Sequence, residues 1–237
     1  MSSPPVLRFV VDRLRRYYGR PQAPVSHNPF HLILWEQVAY LVPEAQRRKA
    51  FAALRTQVGL TPVAILAAPA AKLQAIARLG GSIAANTRAA RLRQSAELVV
   101  GRWDGDLRSA LHLPLARARR ALAQFAMIGE PGADRILVLT ETARLLPLDS
   151  NGLRVLGRLG LITGARDYRA TYRRAQEMLA PGLPGSYDWL ASAYSLLRQH
   201  GQELCRRSAP RCEVCPLRMR CAFAQAPRTT ETRSAGR

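Results

Sequence analysis

The apolar positions of this chain are organised around one segment. From Pro29 to Val42 the residues Phe30, Leu32, Ile33, Leu34, Trp35, Val38, Ala39 and Leu41 are apolar on nearly every side, and Glu36 is the only acid among them. A segment apolar all round belongs in a core, and Asn28 followed by Pro29 predicts a capped helix start. Around it, Ala and Leu dominate, and caps followed by proline recur. The pattern predicts a short basic helix over Val6 to Tyr18 and helices opening at Pro43, Thr61-Pro62 and Pro69. Gly80-Gly81 break the chain. Further helices are expected over Thr87 to Val100, Asp106 to Leu113 and Leu115 to Met127, then from Asp149, and over Asp167 to Leu179 and Asp188 to Gln202. The four aliphatics Ile136 to Leu139 are expected to be extended. No internal repeat with a solenoid period is present, and the tail from Ala222 is expected to be disordered.

Composition narrows the picture. The chain has 237 residues, 48% of them hydrophobic, enough for a sizeable core. Lys and Arg number 36 against 16 Asp and Glu, a net charge of +20. The excess implies a polyanionic partner. Because the basic residues are spread through many segments, nucleic acid is favoured over a membrane surface. No apolar run approaches the ~20 residues of a membrane span. The N-terminal stretch lacks a long apolar region and a cleavage site, so a cytoplasmic, nucleoid-associated protein is expected. Only two lysines occur, Lys49 and Lys72.

All four cysteines lie between positions 205 and 221: Cys205, Cys212, Cys215 and Cys221, spaced C-x6-C-x2-C-x5-C. Four thiols packed this closely suggest one metal centre. Two disulfides belong to secreted chains. A four-cysteine zinc site remains open, although zinc ribbons usually pair two C-x-x-C units and only Cys212 and Cys215 form one here. An iron–sulfur cluster needs four thiolates from a compact loop, which this spacing supplies.

The cysteine spacing, the flanking HGQELC (His200 to Cys205) and the internal CPLRMRC resemble endonuclease III and MutY, DNA glycosylases of the helix-hairpin-helix superfamily. The resemblance extends from about Asn28 to Ala224. It implies a 4Fe–4S cluster on the four cysteines. In the family a hairpin of the form LPGVG grips a DNA phosphate through backbone amides. The matching string is Leu113-Pro114-Leu115-Ala116-Arg117, in which Leu115 and Arg117 fill both glycine positions. A non-glycine residue forced to positive φ costs about 1 kcal/mol or more, so the hairpin is expected to be degenerate or differently shaped. Arg117, Arg119 and Arg120 can instead bind phosphate by charge.

The string LDSNGLRVLGRLG (Leu148 to Gly160) resembles the family segment that carries a catalytic Asp, which falls on Asp149. Such a carboxylate can stabilise the positive charge that develops on the sugar, and a plain helix N-cap is the alternative. PFHLILWEQVAYL aligns with the MutY pattern and places Glu36 on its catalytic Glu. A lone buried carboxylate would suit a general acid, and pairing with a nearby Arg is the alternative. In the same alignment the residue that wedges into the DNA stack becomes Leu41, an apolar wedge. The lysine that attacks the sugar in bifunctional members is replaced by Arg119, and a guanidinium cannot be that nucleophile. Compared with endonuclease III, extra residues separate the hairpin from Asp149, and the segment Gly129 to Pro147 is expected to hold them.

The resemblance therefore implies an all-α, two-lobed helix-hairpin-helix glycosylase architecture. One lobe is a helical barrel over 28–144. The other joins 1–27 with 145–224 and carries the cluster, and 225–237 form a disordered tail. The implied function is hydrolysis of the N-glycosidic bond of a damaged or mispaired base in double-stranded DNA, by a monomer without a Schiff-base lysine. Arg206, Arg207, Arg211 and Arg218, interleaved with the cysteines, form a basic clamp for the DNA backbone. A DNA-binding protein of the same fold without catalysis, and an iron–sulfur redox protein that does not use DNA, remain as alternatives.

Overall fold

The computed structural model describes residues 3–226. Among these, every regular element is helical and none is a strand. The sequence expectation of an all-α chain is met. The described residues divide into two compact units: Gln22–Pro147 with Gly185–Tyr187, and residues 3–21 with Leu148–Pro184 and 188–226.

In the first of these units, α2 (Pro29–Val38) is the central element. Asn28 caps it by accepting from the N–H groups of Phe30 and His31, and Pro29 fixes φ where no helical donor is needed. Eight of its ten residues are buried, as its apolar pattern requires. Around it stand α3 (Glu44–Gln57), α4 (Pro62–Ala67), α5 (Ala70–Leu79), α6 (Ala85–Trp103), a 3-10 turn (Leu107–His112), α7 (Leu115–Leu122) and α8 (Glu130–Leu139). The one polar side chain wholly buried on α2, Gln37, exchanges hydrogen bonds with Ser95 on α6 (2.9 and 3.0 Å) and donates to the Ala126 carbonyl (3.1 Å). It thereby avoids the cost of an unsatisfied buried amide.

The helix α2 stops at Val38, four residues short of the expected end. Ala39 is extended and Leu41 turns left-handed at φ 51°. Buried Arg88 on α6 explains the stop. Its guanidinium donates to the carbonyls of Val38, Gly81 and Ile83, and Tyr40 N–H donates to the Gly80 carbonyl (3.2 Å). The Leu41 loop is thus tied to the Gly80–Ile83 loop. The segment Ile136 to Leu139 is not extended but completes α8, because Gly129-Glu130-Pro131 starts a helix and Ile136, Leu137 and Val138 are all buried. A short apolar run reports burial, not strand geometry. The helix α7 ends at Leu122 rather than Met127, since Ala126 lends its carbonyl to Gln37 and Met127 lies at φ 71°.

The other unit contains α1 (Ser3–Tyr18), α9 (Ser150–Arg158), α10 (Tyr168–Leu179), most of α11 (Tyr187–Glu203), the cysteine loop and α12 (Ala222–Gln225). Leu7, Val10, Val11 and Leu14 on α1, Val155 and Leu156 on α9, and Leu190, Leu196 and Leu197 on α11 form its core. Gly201 lets α11 approach α9, for a Cβ there would lie 2.6 Å from that of Asn151. Ala222 to Gln225 are helical rather than disordered, and the expected disordered tail otherwise lies outside the described residues.

Candidate functional site

Asp149 stands at the head of α9. Its Oδ1 accepts from the N–H groups of Asn151 and Gly152 (both 2.9 Å), and its Oδ2 accepts from Asn151 Nδ2 (3.0 Å). Arg198 on α11 brings its Nε to 3.5 Å of Oδ2. The carboxylate is therefore a helix cap, as the local sequence alone allows. It is also half-buried and held by a cation, a geometry that fixes its direction. Burial, and then the charge of Asp149, raise the pKa of the nearby Tyr168 hydroxyl.

Glu36 lies on α2, half-buried rather than enclosed, and Arg135 on α8 donates its Nη2 to the Glu36 carboxylate. The pairing with arginine is realised, and it works against a neutral general acid, since a guanidinium in contact favours the carboxylate. Arg47 on α3 donates to the carbonyls of Trp35 and Glu36. Leu41, two residues past the end of this helix's cap, is 75% exposed at positive φ. An exposed apolar side chain on a strained backbone is costly unless it is used.

The string from Leu113 to Arg117 does not make a glycine-type hairpin. Pro114 sits at the N-cap position and α7 begins directly at Leu115. Neither Leu115 nor Arg117 takes a positive φ, so the turn is shaped differently from a glycine hairpin and carries no strain at these two positions. Leu115, Arg117 and Arg120 are exposed. Arg119 is not directed to solvent alone. Its guanidinium clasps the wholly buried Asp134, Nε to Oδ1 at 2.5 Å and Nη2 to Oδ2 at 3.0 Å.

Cys205, Cys212, Cys215 and Cys221 line one pocket with His200, Arg158, Leu204 and Leu217. Arg158 on α9 donates Nη1 to Cys205 Sγ (3.4 Å) and to the Arg206 carbonyl (2.7 Å), and Nη2 to the Arg207 carbonyl (3.0 Å). His200 Nε2 lies 3.6 Å from Cys215 Sγ, and its Nδ1 is 3.1 Å from the Tyr18 hydroxyl. Burial pushes the His200 pKa down to about 4, so the ring is neutral. Burial, followed by the charges of neighbouring cysteines, pushes the Cys212 and Cys215 thiols up. Among the described residues no three His, Cys, Asp or Glu side chains converge on a single ion. Arg206, Arg207, Arg211 and Arg218 are all exposed around this loop, with Arg206 Nε also donating to the Glu203 carbonyl.

Arg198, Arg158, Arg135 and Asp134 went unselected in the sequence. Only Arg158 stood in a string that carried the resemblance, and nothing local distinguished the others from the many arginines of this chain.

No family model matches the chain. Over 138 residues it is 26% identical to endonuclease III of Sulfolobus acidocaldarius, a match that takes in 58% of this chain and only 57% of that relative's length. Among solved structures, a trapped endonuclease III–DNA covalent intermediate shares 19% identity, with 94% of this chain and 98% of that one covered at a TM-score of 0.70. A thermostable thymine-DNA glycosylase shares 17%, with 92% and 96% covered and a TM-score of 0.70. The 3-methyladenine DNA glycosylase of H. pylori bound to 1,N6-ethenoadenine shares 15%, with 86% and 98% covered and a TM-score of 0.66. At these identities the structural likeness establishes the fold.

Proposed function

We propose that this chain, which has the endonuclease III-like helix-hairpin-helix glycosylase fold, is a DNA N-glycosylase that excises a damaged or mispaired base by hydrolysis and without a lysine Schiff base. The observation that carries this is Asp149, an anchored carboxylate at a helix head in the string that matches the family's catalytic segment. As the base departs, positive charge develops on the sugar. A carboxylate already fixed by three hydrogen bonds and Arg198 stabilises that charge without reorganising, and it can orient the attacking water. Glu36 supplies a second carboxylate. DNA is the partner that the +20 charge fits, with exposed Leu41 as an apolar wedge in the stack. Arg117, Arg120, Arg206, Arg207, Arg211 and Arg218 are exposed cations for its phosphates.

Arg119 closes the covalent route. It stands where bifunctional members carry the nucleophilic lysine, it cannot lose its proton, and it is fastened to Asp134. Purified protein is expected to release a base from at least one duplex in a panel carrying uracil, oxidised pyrimidines, alkylated bases and A opposite 8-oxoguanine. Strand breaks should appear only after alkali, and borohydride should trap no covalent adduct. A trapped adduct would sink the hydrolytic assignment.

The four cysteines fit a 4Fe–4S cluster better than a single ion. The four cysteines line one pocket and come from one compact loop, as a cluster needs, and only Cys212 and Cys215 form the C-x-x-C unit that zinc ribbons use in pairs. Arg158 and His200 are placed beside sulfur, as donors that tune such a centre are. Bound by Cys205, Cys212, Cys215 and Cys221, such a cluster would tie together the two ends of this loop and would supply no group for base release. Freshly purified protein should be brown and contain iron, and Cys215→Ala should lose both the colour and about 2 kcal/mol or more of stability, the scale of losing a structural cross-link. Colourless protein containing zinc would overturn the cluster.

A further inference from the structure

Two adjacent residues of α8 reach two different helices of the same unit. Asp134, wholly buried, takes the Arg119 guanidinium of α7 through two bonds. Arg135, itself buried, donates to the Glu36 carboxylate of α2. Neighbours on a helix point about 100° apart, so consecutive residues can grip separate elements. This helix lies wholly within Gly129 to Pro147, the stretch expected to hold the extra residues relative to endonuclease III.

Bidentate arginine–carboxylate pairs fix direction as well as charge. The Asp134–Arg119 clasp therefore sets the position of α8, and α8 sets the position of Arg135. The charged groups brought toward α2 by the other elements packed on it are mostly cations: Arg47 and Arg48 of α3, both over the Trp35 ring, and Arg88 of α6. Of the acids on these elements, Glu44 pairs with Arg48, Glu97 with Arg93 and Asp134 with Arg119, and Glu130 stands in the first turn of α8. On the 3-10 turn, Arg108 is held by Asp106 and His112 is exposed. On α2 itself His31 meets Ser26, and burial pushes that ring's pKa down.

We propose that Arg135 is a positioning residue for base release: it aims the Glu36 carboxylate and holds it ionised, and the Asp134–Arg119 clasp fixes the helix that presents it. This rests on the glycosylase function above and assigns Glu36 the work of a carboxylate, accepting a proton from water or balancing positive charge, in place of protonating the departing base.

The test is single-turnover base release against pH for the wild type, Arg135→Gln, Arg135→Lys and Glu36→Gln, on whichever panel duplex the wild type processes. Removing the guanidinium lets Glu36 protonate more readily, so the acid limb of Arg135→Gln should move to higher pH. Each pH unit of displacement deepens its deficit about tenfold at the acid end relative to mildly alkaline pH. Arg135→Lys should restore the limb most of the way. A deficit equal at every pH would show a merely structural role and overturn the proposal. So would a Glu36→Gln enzyme with the wild-type rate and profile, and both outcomes leave the glycosylase function standing. Base release from no duplex by the wild type would remove both. Should Arg135→Gln fail to fold, carbon-13 NMR of the Glu36 carboxyl in the wild type decides. Glu36 ionised well below the pH at which exposed glutamates titrate supports the proposal, and titration alongside them overturns it.

Discussion

Asp149→Asn is expected to leave its unit folded and to slow base release by about 10²–10³-fold, the scale measured when one preorganised electrostatic group is removed from a transition state. The substitution separates the two roles of this residue. Asn caps a helix about as well as Asp, and its carbonyl can still accept from the N–H groups of Asn151 and Gly152 that Asp149 Oδ1 serves at 2.9 Å. The charge is lost, together with the Arg198 contact at 3.5 Å and the bond that Asp149 Oδ2 accepts from Asn151 Nδ2 at 3.0 Å. Circular dichroism and thermal unfolding close to wild type, beside a collapsed single-turnover rate, would assign the charge to catalysis. A rate within about threefold of wild type, a difference of under 1 kcal/mol, would reduce Asp149 to a cap.

The largest expected effect on stability is at Gly80. A Cβ there would stand 2.1 Å from the Val38 carbonyl oxygen and 2.8 Å from the Ala39 backbone. Backbone atoms cannot swing aside as a side-chain tip can, and this backbone is also held by Arg88. Gly80→Ala should cost about 3 kcal/mol, which for a chain of this size lowers the melting temperature by roughly 6–12 °C. The same push falls on the turn that presents Leu41, so affinity for the processed duplex should fall as well. Gly101 in α6 is the control, for a Cβ there meets nothing within 4 Å, and Gly101→Ala should gain about 1 kcal/mol from helix propensity. Equal melting temperatures for Gly80→Ala and the wild type would contradict the packing described here.

The candidate site was legible to the extent that its signals were local. Asp149 was found by its string and its capping position, and both survive in the structure. Glu36 was found by its isolation among apolar residues, and an arginine partner was one of its two readings, but nothing local named Arg135, 99 residues away, as the one that meets it. Arg119 was identified as a replaced lysine and read as a phosphate-binding charge. Its commitment to Asp134 emerges only when α7 and α8 pack. Leu115 and Arg117 avoid positive φ because Pro114 starts a helix there, a different shape of the kind expected, while left-handed backbone sits at Leu41, where no glycine or asparagine signalled it.

The sequence by itself determined the helical content, the starts of helices at Asn28, Thr61, Asp106, Asp149 and Asp167, and the gathering of four cysteines in one loop. Each depends on groups a few residues apart, where capping and spacing act before any tertiary contact forms. Tertiary structure alone decided where helices such as α2 and α7 stop and which cation meets which carboxylate. With 36 basic residues and 16 acids, many pairings are electrostatically acceptable. Only burial, by making an unpaired charge expensive, selects Arg135 for Glu36 and Arg119 for Asp134.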